Sequence, residues 1–137
     1  MQISPRSSTW QRLKKSQGVS KIFKIDITPC PKPRMTRRDK WAKRPIVVKY
    51  FDYCNRLRLI APEIQWEGIS ITFVLPMPKS WSKKKMSEMD GKPHTQKPDL
   101  DNLLKAFADA LLKDDSGLWY FRELKKVWGE KGEINVN

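Results

Sequence analysis

A chain of 137 residues, 39% hydrophobic and 31% charged, suits one soluble domain with a real core and a heavily charged surface. No apolar run approaches the roughly 18 residues of a bilayer span, and the opening MQISPRSSTWQRLKKSQG lacks the apolar centre of a secretory signal, so a cytoplasmic location is expected. The formal net charge of +13 lies wholly in residues 1–60, with 16 Lys/Arg against three acids; this favours a polyanion such as nucleic acid, and disfavours a membrane because the basic residues form no amphipathic helical face.

Residues 1–19 are polar, basic and aperiodic, and read as a flexible arm. A single domain over 20–137 follows. SKIFKIDIT alternates polar and apolar, which predicts a half-buried strand with Ile22, Phe23, Ile25 and Ile27. The proline-punctuated PCPKPRMTRRDKWAKRP predicts an extended loop in which Lys/Arg residues surround Trp41. From Ile46 to about Ala61, Val47, Tyr50, Phe51, Cys54, Leu57 and Ile60 recur at helical spacing. EGISITFVLPM predicts a strand with Ile69, Ile71 and Phe73 on one face. PKSWSKKKMSEMDGKPHTQKP reads as a polar loop with room for a helical turn. A second helix is expected from Asp99 or Asp101 to about Lys113. GLWYFRELKKVWGEKGEINVN predicts two strands joined as a hairpin at Gly129–Gly132. This order gives an α+β fold: one mixed β-sheet packed with two main helices. Cys30 and Cys54 lack any metal-type spacing and read as reduced thiols.

The informative stretch is KPDLDNLLKAFADALLKDDS, residues 97–116, which gathers five of the 15 acids of a basic protein. Leu100, Leu103, Leu104, Phe107 and Leu111 fall on one helical stripe, so Asp101, Lys105 and Asp109 project together from another face. Pro98 sets the helix entry, and Asp114-Asp115 follow the helix, where a return of the chain brings them toward that face. Asp at a helix start is an ordinary cap, and an Asp, Lys, Asp ladder is an ordinary solvated face. Neither explains the second acidic cluster. Bare carboxylates beside phosphate repel it, and the arrangement makes sense if a divalent cation bridges the two. Oxygen ligands suit Mg²⁺, with Mn²⁺ as a substitute, better than zinc. The matching chemistry is phosphodiester hydrolysis, with Lys105 placed one turn beyond Asp101 to meet the scissile phosphate.

At the run D99-L-D101-N-L-x-K105-x-x-x-D109-A-L, followed by D114-D115-S, preceded by LPMP at 75–78 and followed by KGEINV, the sequence resembles the RusA-type Holliday-junction resolvases. Its HTQ segment and Trp41 loop resemble a phage-like branch. The resemblance implies a RusA-like fold, a bacterial or phage-infected host cell, and a homodimer that resolves four-way or branched DNA junctions by paired nicks. It implies Asp99, Asp101 and Asp115 as metal ligands, with Asp114 the alternative to Asp115, and Lys105 as the catalytic lysine. Asp109, Asp114 and His94 are auxiliary candidates.

The expected DNA contacts are Arg37, Arg38, Lys40, Lys43 and Arg44 on the backbone. Trp41 is a candidate to stack on an unpaired base, and Lys83, Lys84 and Lys85 form a second phosphate-contacting cluster. Trp119, Tyr120, Phe121, Val127 and Trp128 are expected in the sheet core or a dimer interface. Two rival readings are a non-catalytic architectural protein that binds branched DNA through the basic half, and an RNA-binding protein.

Overall fold

The computed structural model describes residues 22–34 and 44–137. At its centre is the strand the sequence makes most apolar, β2 (Ile69–Pro76). Ile69, Ile71, Phe73 and Leu75 are all buried, whereas Ser70, Thr72 and Val74 on the other face are half-buried. The sheet is therefore packed mainly on one side. Three further strands complete it: β1 (Phe23–Ile25), β3 (Phe121–Gly129) and β4 (Glu133–Val136), in the order β1-β4-β2-β3. β4 pairs antiparallel with both β1 and β2, setting Ile134 opposite Ile25 and Phe73, while β3 runs parallel to β2 with Val127 opposite Val74. One mixed sheet in a single α+β domain results, as expected.

Helices α1 (Pro45–Ile60) and α3 (Leu100–Leu111) join the apolar face of the sheet in one core. Phe107 of α3 meets Phe73 edge-on at 6.0 Å between ring centroids, and Trp66 at 5.6 Å. Cys30 and Cys54 are buried free thiols in this core.

The structure corrects the sequence reading in three places. On α1 the buried stripe is Val47, Tyr50, Tyr53, Cys54 and Leu57, and Phe51 and Ile60 are instead 53% and 48% exposed. Tyr53 and Leu57 lie i+3 and i+7 from Tyr50, whereas Phe51 stands about 100° further round the helix. In the first strand only Ile25 and Ile27 are buried, with Ile22 and Phe23 exposed. The helical turn for which the polar segment after Pro78 has room is there, as a short helix, α2 (Lys83–Met89), started by Ser82, whose hydroxyl accepts the Lys85 N–H at 3.2 Å.

The third correction concerns the expected hairpin. β3 and β4 are consecutive but do not pair; β2 lies between them. Residues 130–132 therefore cross β2, spanning two strand spacings of about 4.8 Å each. The glycines serve that crossing rather than a tight turn, and neither has a positive φ. A Cβ on Gly129 would lie 2.2 Å from Val74 Cγ1, and one on Gly132 would lie 2.6 Å from Thr28 Cα. Gly129→Ala is accordingly expected to cost about 1–3 kcal/mol in urea unfolding. Adding Val74→Ala should recover part of that loss, because it removes the clashing methyl. Strictly additive losses in the double variant would contradict this packing.

Candidate active site

The segment that leads into α3 is laid along the outer edge of β3. Gly91 N–H donates to Trp128 O at 2.9 Å, Trp128 N–H to Lys92 O at 3.0 Å, and His94 N–H to Lys126 O at 3.1 Å. From there the chain passes Pro98 and enters the helix. Asp99 is the N-cap residue, in extended conformation, and its side chain makes no capping bond; Asp101 stands in the first turn. Both are exposed, and neither carboxylate has a partner among the described residues. The positive end of the helix dipole favours negative charge at these two positions.

One turn further, α3 carries the expected Lys105–Asp109 pair, at 3.5 Å between Nζ and Oδ1. Lys105 also donates to Asp115 Oδ2 at 3.2 Å, so the chain beyond the helix does return to this face. The hydrogen bond to Asp115, aided by the charges of Asp109 and Asp115, holds the Lys105 pKa above the ordinary lysine value. Asp109 is shared. Its second oxygen, Oδ2, accepts from Lys32 Nζ at 2.7 Å, which ties the N-terminal loop to the helix. The result is an alternating series: Lys32, Asp109, Lys105, Asp115. Lys32 was not expected here.

The structure gives Asp114 and Asp115 different work. Asp114 folds back on its own turn, accepting the Ser116 N–H and the Ser116 hydroxyl at 3.0 Å each. Those two bonds hold its pKa below the usual carboxylate range, the backbone one being the larger cause. Asp115 is the one that faces Lys105.

Among the described residues, no three carboxylate, imidazole or thiol side chains are close enough to chelate one ion together. The donors themselves still suit a hard divalent cation. Asp99 and Asp101 offer exposed oxygens with no competing partner among the described residues, and both described cysteines are buried in the core.

A family model, Endodeoxyribonuclease RusA, matches residues 24–137. The chain belongs to the RusA endodeoxyribonuclease family. It is thus an enzyme of the nuclease class whose family resolves Holliday junctions, acts on branched DNA and generally uses divalent metal ions. No curated protein and no solved structure matches the chain. Among the described residues, no helix is long and apolar enough to cross a membrane.

Within this RusA domain the sequence-expected DNA contacts fall in two groups. Arg37, Arg38, Lys40, Trp41 and Lys43 lie outside the described residues, as does the arm over 1–19. Arg44 is exposed at the N-cap of α1, where its Nη2 donates to Arg34 O at 2.8 Å. Lys83, Lys84 and Lys85 form one exposed turn of α2, with Lys85 Nζ 4.4 Å from the Trp81 ring centroid.

His94 is 5% exposed, its ring centroid 4.1 Å from that of Trp128, which in turn packs on Trp81. Trp128 is a core residue, whereas Trp119, just before β3, is 75% exposed. Burial lowers the His94 pKa, and the charge of Lys126 lowers it further. In the folded chain His94 therefore takes up a proton less readily than in the unfolded chain. Stability should fall as pH drops below about 6.5, the unfolded histidine value, because protons then favour the unfolded state. Urea midpoints across pH 7.5 to 5.5 should decline in the wild type and flatten in His94→Phe. An equal slope in both would remove His94 as the cause.

Proposed function

We propose that the chain is a Mg²⁺-dependent, structure-specific endonuclease, with Mn²⁺ as a substitute. In this reading it resolves four-way or branched junctions as a homodimer, one nick per protomer. The observation that carries the reading is the arrangement on α3. Two carboxylates with no partner among the described residues stand at the helix start, and one turn on is an ammonium that reaches the third carboxylate, Asp115. Asp99 and Asp101 would hold the ion, with Asp115 drawn in from its ion pair with Lys105; the bound ion would polarise a phosphoryl oxygen and lower the pKa of a water.

The remaining work belongs to the side chains. Lys105 stays protonated throughout the physiological range, so it acts as a fixed positive charge toward the scissile phosphate and not as a base. Asp109 and Asp115 hold that ammonium from two sides, limiting its rotamers before DNA arrives. Lys32, on the far oxygen of Asp109, adds a second cation to the same face. Asp114 shapes the turn that presents Asp115. Arg37, Arg38, Lys40, Lys43, Arg44 and the Lys83–Lys85 turn are assigned to the DNA backbone and Trp41 to an unpaired base, positioning the junction without reading sequence.

The test is cleavage of a synthetic four-way junction. Symmetric nicks are expected with Mg²⁺, none with EDTA, and none on a linear duplex of the same arms. Junction binding with no cleavage in any divalent ion would instead make the protein architectural.

A further inference from the structure

The segment carrying Asp99 into place is fastened at its end by one side chain from another element. Lys126 Nζ, from the middle of β3, donates to Pro98 O at 2.7 Å and also to Gln96 O. We infer that Lys126 is a positioning residue for the carboxylates of the α3 N-terminus, on the reading that Asp99 and Asp101 hold the divalent ion.

Three backbone bonds fix residues 91–94 to β3, and they stop at His94. Beyond them, residues 95–98 carry no backbone bond to the sheet among the described residues, yet this stretch sets where Asp99 stands. Lys126 is the continuation of that seam. Its backbone carbonyl takes the last ladder bond, from His94, and its side chain reaches past that bond to the next two acceptors. A single ammonium spanning two carbonyls fixes both position and orientation of the turn, since each oxygen constrains a different peptide plane. Pro98 O belongs to the residue directly before Asp99, so a shift of this carbonyl moves the N-cap residue with it. The cation also leaves the Asp99 and Asp101 oxygens free: it holds backbone, not carboxylate, and does not compete with an incoming ion. β3 is parallel to central β2 over eight registered pairs, which makes it a rigid base for such an anchor.

The experiment compares Lys126→Met and Lys126→Arg with wild type by Mn²⁺ binding (electron paramagnetic resonance), junction nicking at saturating DNA, and melting temperature. Lys126→Met should bind Mn²⁺ about tenfold more weakly and shift half-maximal nicking to correspondingly higher Mn²⁺, the size expected for a partner that orients metal ligands. Its melting temperature should stay within a few degrees, because the contact is at the surface of one turn. Lys126→Arg, which can still span two carbonyls, should recover most of the Mn²⁺ affinity. Unchanged Mn²⁺ affinity in Lys126→Met overturns the inference. So does a general loss of fold in Lys126→Met, or an intact Lys126→Arg as defective as Lys126→Met. A wild type that binds no Mn²⁺ and nicks no junction would reject the nuclease reading itself, a separate outcome from all of these.

Discussion

Asp101→Asn is expected to lower junction nicking in Mg²⁺ by about a thousandfold, the several kcal/mol a bound ion supplies at about 1.4 kcal/mol per decade. Asparagine keeps the shape and removes the charge. Since Asp101 is exposed and has no partner among the described residues, the change breaks no contact that holds the fold. Only the favourable placement of an anion at a helix start is lost, worth about 0.5 kcal/mol. Junction affinity without metal should persist or rise, because a negative charge near the phosphates is gone. The combination of lost nicking with retained fold and binding separates a ligand from a cap. Gel-shift and single-turnover nicking assays on the same preparation check it, and nicking that survives unchanged would remove Asp101 from the site.

The second large effect is at Lys105. Lys105→Met should cost about a hundredfold or more in single-turnover nicking, the usual loss when one fixed donor is taken from developing charge. The structure adds a second reason. Without this ammonium, Asp115 loses its described ion-pair partner, whereas Asp109 keeps Lys32. The Asp115 carboxylate would then no longer be held toward α3. Lys105→Arg should recover only part of the rate, since a planar fork does not reproduce a compact ammonium between two carboxylates. The raised pKa of Lys105 also fixes a sign. A lysine acting as base must lose its proton, so its rate would climb toward alkaline pH. A charge-bearing Lys105 instead predicts that wild type and Lys105→Arg share one pH dependence between pH 7 and 9, and a rise steeper in the wild type would contradict the assigned role.

Much of this arrangement is legible in the sequence alone. The apolar stripe through Leu103 and Phe107 has a period only a helix can satisfy, and those two side chains are fully buried. The same period sets Lys105 beside Asp109. A return of Asp115 to that face was also foreseeable, because only a few residues separate it from the helix end. Lys32 was not. Its partner Asp109 is 77 residues away, and nothing local distinguishes it from the other cations of a basic loop. Lys126 escaped for the same reason, since its acceptors are backbone carbonyls, which sequence does not label.

The hairpin expectation failed on a more general point. Two short strands around glycines fit a tight turn, but β2 is the more apolar neighbour for both, and it draws one to each of its edges. The glycines then answer to steric room beside Val74 and Thr28. On α1, a residue count of apolar positions could not choose between Phe51 and Tyr53, and packing against the core chose Tyr53. In each case the local pattern was correct about the element and silent about its neighbour.

The central claim, that Asp99, Asp101 and Asp115 together take up a divalent ion, is tested most directly by Mn²⁺ titration followed by electron paramagnetic resonance. The wild-type chain should show saturable Mn²⁺ uptake that Mg²⁺ competes away, and Asp101→Asn and Asp115→Asn should each weaken it at least tenfold. Uptake equal in all three proteins, or none in the wild type, would contradict the account.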